Sequence, residues 1–479
     1  MDSTKVFNNL IWRFTERMCS QGISLVVSII LARMLGPEVY GTIALVNVFI
    51  AVLQVFVDSG FASALIQKKD SDDTDFSTVF YLNLVICGVL YAIMFFSAPL
   101  IGEFYQQPEL VPVIRVLSLT LVISGVKNVQ QAYVSKKLIF KKFFYATLIA
   151  TIGSAIVGIF LAFKGFGIWA LVGQTLFINI VSTITLWFSI DWKPKLLFSF
   201  ERLKGLFSFG WKLLVSSLID TVYIKTRQLL IGKIYTASDL AFYNKGDQYP
   251  NLLVTNINMS IDSVLFPVMS DAQDDFAKVK AMVKRSIKTS SYIVWPIMFG
   301  LAAVATPFIR VILTEEWLPC AFYMQMFCFI YCILPIHTAT INAIKAIGRS
   351  DIYLKQEIAK KIVGVVAMLA TIFISIRAMT YSYLFTSVLS LIINAYPVAR
   401  ILKYSFKEML KDVFPSALMS IVMFAGCWPI QFINMPDIVM LIVQIFVGLI
   451  LYLGMSILFK NESFYYVLNI VKSKFKKGA

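Results

Sequence analysis

Stretches of about 20 apolar residues, the length a helix needs to cross a bilayer, recur along this chain from end to end. They begin near Leu10, Val39, Phe76, Leu110, Phe143, Ile168, Leu206, Ala241, Ile287, Ala321, Ile358, Tyr381, Val413 and Ile438. The pattern predicts an all-α polytopic membrane protein with about fourteen transmembrane helices. Short turns mark several boundaries: Leu35-Gly36-Pro37-Glu38, Gln107-Pro108, Lys164-Gly165-Phe166-Gly167, Trp317-Leu318-Pro319 and Met435-Pro436-Asp437. Two longer connections, Asp191 to Lys204 and Asp271 to Lys288, read as amphipathic helices lying in the membrane interface.

Polar residues inside spans cost free energy in hydrocarbon, so their spacing shows which faces avoid lipid. In the first span Arg13, Arg17, Gln21, Ser24 and Ser28 are separated by 4, 4, 3 and 4 residues and share one face, while Ile23, Val26, Ile29 and Ile30 cover the rest. The seventh repeats that spacing with Lys212, Ser216, Asp220, Tyr223 and Arg227. The eighth carries Asn244, Gln248, Asn251, Thr255, Asn258 and Asp262 along its whole length. The second adds Asn47, Gln54 and Asp58, and the fourth Thr120, Ser124, Lys127, Gln131 and Ser135. From Ile438 to Phe459 only Gln444 is strongly polar, so the last two spans are expected to be peripheral.

The polar faces of spans one, two, seven and eight are expected to converge on a hydrated central cavity between two six-helix lobes. Interhelical hydrogen bonding also produces such stripes, and Arg13, Arg17 and Lys212 lie near enough to helix ends to snorkel. Lys225 and Arg227 lie deeper, where a charge costs about 2.5–3.5 kcal/mol, and Asp220 is a candidate neutralising partner for Arg227.

Composition agrees with this reading. Of 479 residues 58% are hydrophobic and 15% charged, against roughly 45–50% and about 25% in soluble domains. The stretches between spans are too short for a soluble domain. A net charge of +16 raises the question of nucleic acid, and the placement of the cations answers it. Arg33, Lys164, Lys233, Arg310 and Arg377 are the few in one set of alternating loops. The opposite set is rich, with Lys136, Lys137, Lys141 and Lys142, then Lys278, Lys280, Lys284, Arg285 and Lys288, then Lys472, Lys474, Lys476 and Lys477. By the positive-inside rule that set is cytoplasmic and meets anionic headgroups, and both termini lie inside. The first apolar stretch contains Arg13, Glu16 and Arg17 with no small-residue cleavage site, so it reads as a retained helix.

Other signals favour packing. Cys328, Cys332 and His337 lack a fourth ligand, and cysteine in a span behaves as a small hydrophobe. His337 reads as a buried hydrogen-bonded imidazole, with proton coupling as its alternative. Asp70, Asp72, Asp73 and Asp75 suit a helix N-terminus, metal binding being the weaker alternative. The chain has no phosphate-binding glycine loop and, with one histidine, no H-E-x-x-H. No cofactor, metal site or covalent chemistry is expected.

A faint internal repeat at an offset of 200 sets Leu31, Arg33, Ile43, Ser63 and Leu65 opposite Ile231, Lys233, Tyr243, Ser263 and Leu265. The expected organisation is an N-terminal lobe over 1–205, a C-terminal lobe over 206–405, and two further helices with a basic tail over 406–479. Duplicated halves commonly build a transport site at their interface.

Several motifs, taken in order, carry a resemblance. They are Leu35-Gly36-Pro37-Glu38-Val39-Tyr40-Gly41, Asp58-Ser59-Gly60-Phe61 leading to Leu65-Ile66-Gln67-Lys68, Val264-Leu265-Phe266-Pro267 followed by Gln273-Asp274-Asp275, and Glu316-Trp317. The chain resembles the polysaccharide transporter branch of the MOP (multidrug/oligosaccharidyl-lipid/polysaccharide) superfamily, the Wzx-type flippases and colanic or teichuronic acid exporters. The resemblance implies a two-lobed bundle in the bacterial cytoplasmic membrane. It would flip polyprenyl-pyrophosphate-linked oligosaccharide to the outer leaflet by alternating access, beside a polysaccharide polymerase and assembly machinery.

The polar stripes suit such a cargo. Arg17, Lys225 and Arg227 would hold the pyrophosphate, and Asn244, Gln248, Asn251, Asn258 and Gln131 the sugars. Gln21, Asp58, Lys127, Asp220 and Asp262 complete the candidate cavity. Asp58, Asp220, Asp262 and His337 are candidates for coupling protons or sodium. The related lipid II flippases look to carry an arginine in helix two, where this chain has Asn47, Gln54 and Asp58, which argues against lipid II as cargo. A cation-coupled multidrug exporter of the same superfamily and a membrane-embedded glycan polymerase are the alternatives.

Overall fold

The structure is a computed structural model that describes residues 3–58, 61–68, 70–137 and 139–478. Ser59 and Gly60 of the second motif lie outside the described residues, as do the side chains of Ser63, Lys474, Lys476 and Lys477. Two compact units, 1–241 and 242–479, divide the chain.

The first unit contains α1 (Ser3–Asp58), α2 (Phe61–Gln67), α3 (Asp73–Tyr105), α4 (Leu110–Leu117), α5 (Leu119–Lys137), α6 (Phe140–Phe163), α7 (Ile168–Ser189) and α8 (Phe200–Ile234). α9 (Ala237–Asp271) begins in it and continues into the second unit. There follow α10 (Phe276–Ala303), α11 (Ala305–Ile312), α12 (Cys320–Tyr331), α13 (Leu334–Ala346), α14 (Ser350–Ile372), α15 (Ile376–Ile401), α16 (Phe406–Cys427), α17 (Asp437–Leu458) and α18 (Glu462–Gly478). α8 packs on α1, α2 and α3, which is why the division falls after it.

Among the described residues, 10 helical stretches are long and apolar enough to cross a membrane, or 11 if α10 and α11, bent by 68°, form one span. In that tally α1 counts once although it holds the first two expected spans, and α8 and α14 are not in it.

The first motif makes a corner in α1. Gly36 has φ 70° and ψ 173°, a left-handed φ that a side chain disfavours. Pro37 then restarts the helix, where its missing N–H is no loss. The Tyr40 hydroxyl braces the corner by donating to the Ser28 carbonyl at 3.1 Å. A Cβ on Gly41 would sit 1.7 Å from the Ala237 carbonyl oxygen, so only glycine permits this backbone crossing at the start of α9.

At the cation-rich end, Asp72 and Asp75 form a capping box that starts α3. Lys68, from the second motif, lies 2.7 Å from both oxygens of the fully buried Asp75. Arg202 reaches Asp72 at 2.6 Å and Asp75 at 3.3 Å, and Lys195 reaches Asp73 at 2.5 Å. Slight burial works against ionisation of Asp72, but the Asp75 backbone N–H and the Arg202 guanidinium outweigh it and hold the carboxyl below the usual range.

The two long connections differ from expectation. Residues 191–199 are irregular, with bends at Asp191 and Leu196, rather than helical. Pro194 disfavours a helical conformation at Lys193 and supplies no N–H, and α3 offers replacement partners. Trp192 Nε1 donates to Asp73 Oδ1 at 3.2 Å, the Lys195 N–H to Ser77 Oγ at 3.0 Å, and the Ser199 N–H to Thr78 Oγ1 at 3.1 Å. The Trp192 ring packs against Phe76 and Tyr133. After Asp271 comes only a short turn. Asp275 caps α10 by accepting from the Lys278 N–H at 2.9 Å, and the helix runs unbroken to Ala303. Its basic first turns therefore belong to the same helix as the apolar residues after Ile287, not to a separate interfacial helix.

The second unit has a continuous core that includes Val279, Ile287, Met298, Cys328, Ile336, Ala343 and Tyr404. Cys328 and Cys332 are unpaired and buried within it. α16 buries Met409, Val413, Met419 and Met423, whereas α17 keeps Ile438, Ile442, Phe446 and Ile450 exposed. The basic tail is helical as α18 and docks on α10, with Lys288 3.1 Å from Glu462 and the Arg285 guanidinium 4.1 Å from the Tyr466 ring centroid.

Candidate functional site

Three polar stripes meet in the first unit. On α1, Asn47, Gln54 and Asp58 recur at intervals of 7 and 4, and on α5, Thr120, Ser124, Lys127 and Gln131 recur at 4, 3 and 4. On α7, Thr175 and Asn179 are four apart. Each spacing keeps one helix face polar, and the three faces enclose a cavity of about 310 Å³ lined by these residues and Ile50. That volume is at the lower end of small-molecule sites, roughly 300–1,000 Å³.

Most polar groups here are held. Asp58 Oδ1 accepts from Gln54 Nε2 at 3.0 Å and from Asn128 Nδ2 at 3.1 Å. Lys127 Nζ donates to Asn179 Oδ1 and Ser182 Oγ, both at 3.4 Å. One acid and one cation thus line the same space, which limits the cost of keeping either within the bundle. A second cavity of about 230 Å³ shares Asp58 and Gln131 and adds Arg13 and Asn128. Arg13 is paired with Glu16 at 3.3 Å and packs its guanidinium 4.9 Å from the Phe143 ring centroid.

In the second unit the polar stripe of α9 is used differently. The Tyr331 hydroxyl donates to Asp247 Oδ1 at 2.5 Å and accepts from Asn251 Nδ2 at 2.9 Å, and Thr255 donates to Asn251 Oδ1 at 2.8 Å. Asn342 Nδ2 donates to Asp262 Oδ1 at 2.7 Å. These bonds tie α9 to α12 and α13. Close packing accompanies them: a Cβ on Gly246 would lie 2.5 Å from Tyr323 Cβ and 2.8 Å from the Met324 nitrogen. His337 Nδ1 lies 2.9 Å from Asn394 Nδ2, tying α13 to α15. Asn258 Oδ1 is buried without a partner among the described residues.

A family model described as "Polysaccharide biosynthesis protein" matches residues 30–322. The chain belongs to the polysaccharide biosynthesis protein family. Among similar proteins, the teichuronic acid biosynthesis protein TuaB of Bacillus subtilis (strain 168) is 23% identical over 449 residues, 92% of this chain and 93% of that protein. The lipopolysaccharide biosynthesis protein WzxC of Escherichia coli (strain K12) is 24% identical over 358 residues, 74% of this chain and 73% of that one. Among solved structures, the lipid II flippase MurJ in an inward closed conformation has a TM-score of 0.76 at 16% identity, covering 95% of this chain and 99% of that one. An inward-facing multidrug resistance MATE transporter of the MOP superfamily has a TM-score of 0.59 at 15% identity, covering 83% and 99%. This family member therefore has the MOP-superfamily fold in a multi-pass membrane protein.

Of the candidate residues, Asp58, Lys127 and Gln131 come together at the first-unit cavity. Arg17 and Gln21 are half-buried on α1 and line neither of the two polar cavities described above. On α8, Asp220 is exposed and Lys225 half-buried, while Arg227 is buried with its guanidinium 5.7 Å from the Tyr223 ring centroid. Gln248, Asn251, Asn258 and Asp262 lie on α9 within the second unit, where Asn251 and Asp262 are engaged in the bonds just described. Sequence reasoning missed Asn128, Thr175, Asn179, Asp247 and Tyr331. The α7 stripe was visible at its spacing of four, but two small polar residues in an apolar helix did not stand out.

Proposed function

We propose that this protein flips a polyprenyl-pyrophosphate-linked oligosaccharide unit from the cytoplasmic to the outer leaflet of the bacterial cytoplasmic membrane, for assembly of a surface polysaccharide. The observation that carries the reading is the amide- and hydroxyl-lined cavity of the first unit, in a chain of the polysaccharide biosynthesis family. Sugar hydroxyls require many neutral donors and acceptors, which Asn47, Gln54, Gln131 and Asn179 offer, and Lys127 offers one cation to an anionic group.

The wider site includes Arg17, Gln21, Asp220, Lys225, Arg227, Gln248 and Asn258, with the cations toward pyrophosphate. The lobes expected at 1–205 and 206–405 alternate in opening to the two sides, with both termini cytoplasmic. The work is translocation, without covalent chemistry, and a polysaccharide polymerase is the partner that would receive the flipped unit. The lipid II flippase and polysaccharide biosynthesis proteins among its relatives support this reading over drug export.

Complementation of a deletion strain tests it. Wild-type protein should restore surface polysaccharide, and Lys127→Ala and Arg227→Ala should leave lipid-linked units on the inner leaflet. Normal export by both variants overturns the cationic role. Restored resistance to organic cations without restored export would favour the drug exporter, and loss of elongation with crossing intact would favour a polymerase.

A further inference from the structure

α14 and α15 form a hairpin, so the start of one and the end of the other lie at the same end of the unit. Between them lies a cavity of about 930 Å³. Its composition is divided. Arg349, Lys355 and Arg400 are the cations at its wall, opposed by Asp351 alone, and Ile392 and Tyr396 belong to its apolar part. Arg349 is already held by a two-pronged contact with Asp351, at 2.9 Å from each oxygen. Lys355 and Arg400 make no ion pair or side-chain hydrogen bond among the described residues.

Three features say what fits. Two uncommitted cations at one mouth match a single phosphodiester. From that mouth an exposed apolar stripe, Phe385, Val388, Ile392 and Tyr396, runs along α15 at helical spacing and offers a bed for acyl chains. Gln356 lines the cavity with only 5% of its surface exposed. Its Nε2 donates to the Ile393 carbonyl at 2.9 Å, and its Oε1 has no partner among the described residues. An unpartnered acceptor beside cations matches a headgroup that carries hydroxyl donors as well as phosphate.

We propose that the α14–α15 cavity is a binding site for an anionic phospholipid with a hydroxyl-bearing headgroup, of the phosphatidylglycerol class. The lipid's phosphate lies between Lys355 and Arg400, and its chains follow the α15 stripe. The site lies wholly in the second unit, shares no residue with the first-unit cavity and does not depend on what the protein transports.

The test uses full-length protein in a zwitterionic detergent, with thermal unfolding followed as dioleoylphosphatidylglycerol or dioleoylphosphatidylcholine is added. Phosphatidylglycerol should raise the melting temperature and phosphatidylcholine should not, because a ligand that binds only the folded state stabilises it by mass action. The double variant Lys355→Ala/Arg400→Ala should need roughly thirtyfold more phosphatidylglycerol for the same shift, from about 1 kcal/mol per basic residue. Lys407→Ala/Lys411→Ala removes the same charge from the exposed face of α16 and should respond as wild type. Ala359→Trp keeps every cation but fills the cavity, and should also lose the shift. Equal loss in the Lys407/Lys411 control, or an unchanged shift in Ala359→Trp, overturns the proposal. So does an equal shift with inorganic phosphate alone, which would make this a free-anion site rather than a lipid site.

Discussion

The first and second units contain polar stripes of the same spacing, yet the described residues of one line a cavity while positions of the other are bonded directly to the helices opposite. On α1, α5 and α7 the stripes face one another across about 310 Å³, and short side chains such as Thr120, Ser124 and Thr175 leave room between them. On α9 the stripe meets Tyr331 and Asn342, which are long enough to reach Asp247, Asn251 and Asp262 directly, and Gly246 lets α12 come closer still. A stripe in the sequence therefore reports that a face avoids lipid. Whether that face becomes a cavity or a seam depends on the size of the residues opposite, which belong to another helix.

The contrast can be broken most severely at its tightest point. Gly246→Leu should prevent folding of the second unit, since overpacking against backbone costs about 3 kcal/mol or more, seen as loss of a monodisperse peak on detergent size-exclusion. Its counterpart Thr175→Leu adds bulk where there is space. It should change stability by about 1.5 kcal/mol or less while removing export, which separates a cavity from a seam in one pair of assays.

Next in size is Lys127→Met. Export should fall about tenfold or more, an effect of about 1.4 kcal/mol, with the melting temperature unchanged or higher because an embedded charge has been removed. Tyr331→Phe should do the reverse. It leaves Asp247 and Asn251 without their shared hydroxyl, lowers stability by about 1–3 kcal/mol, and reduces export only as far as the amount of folded protein falls.

The smallest effect is a pH dependence confined to the first unit. Because the Asp72 carboxyl is held below its ordinary value of 3.8, its ion pair contributes stability above that pH and loses it as pH falls through the lower folded value. Cleavage within residues 191–199 should increase on acidification below pH 3.8, and Asp72→Asn should abolish the change.

The helical class, the membrane setting, the corner at Gly36 and the α1 and α5 faces of the cavity were legible, because each follows from local spacing or from one residue's allowed φ. What escaped depended on partners far along the chain. Residues 191–199 carry the charge pattern of an interfacial helix, but Ser77 and Thr78 supply bonds that an irregular segment can use after Pro194. The role of Asn251 turned on Tyr331, 80 residues away, and no periodicity within α9 announces it. Lys68 looked like a motif residue and proves to be the counter-ion of a fully buried carboxylate, so its prominence reports a fixed joint rather than contact with cargo.

The segment before α8 has a consequence for where that helix starts. Its indole and backbone N–H groups donate to Asp73, Ser77 and Thr78 within two turns of α3, so the Ser199 cap from which α8 sets out is stitched to the first turns of α3.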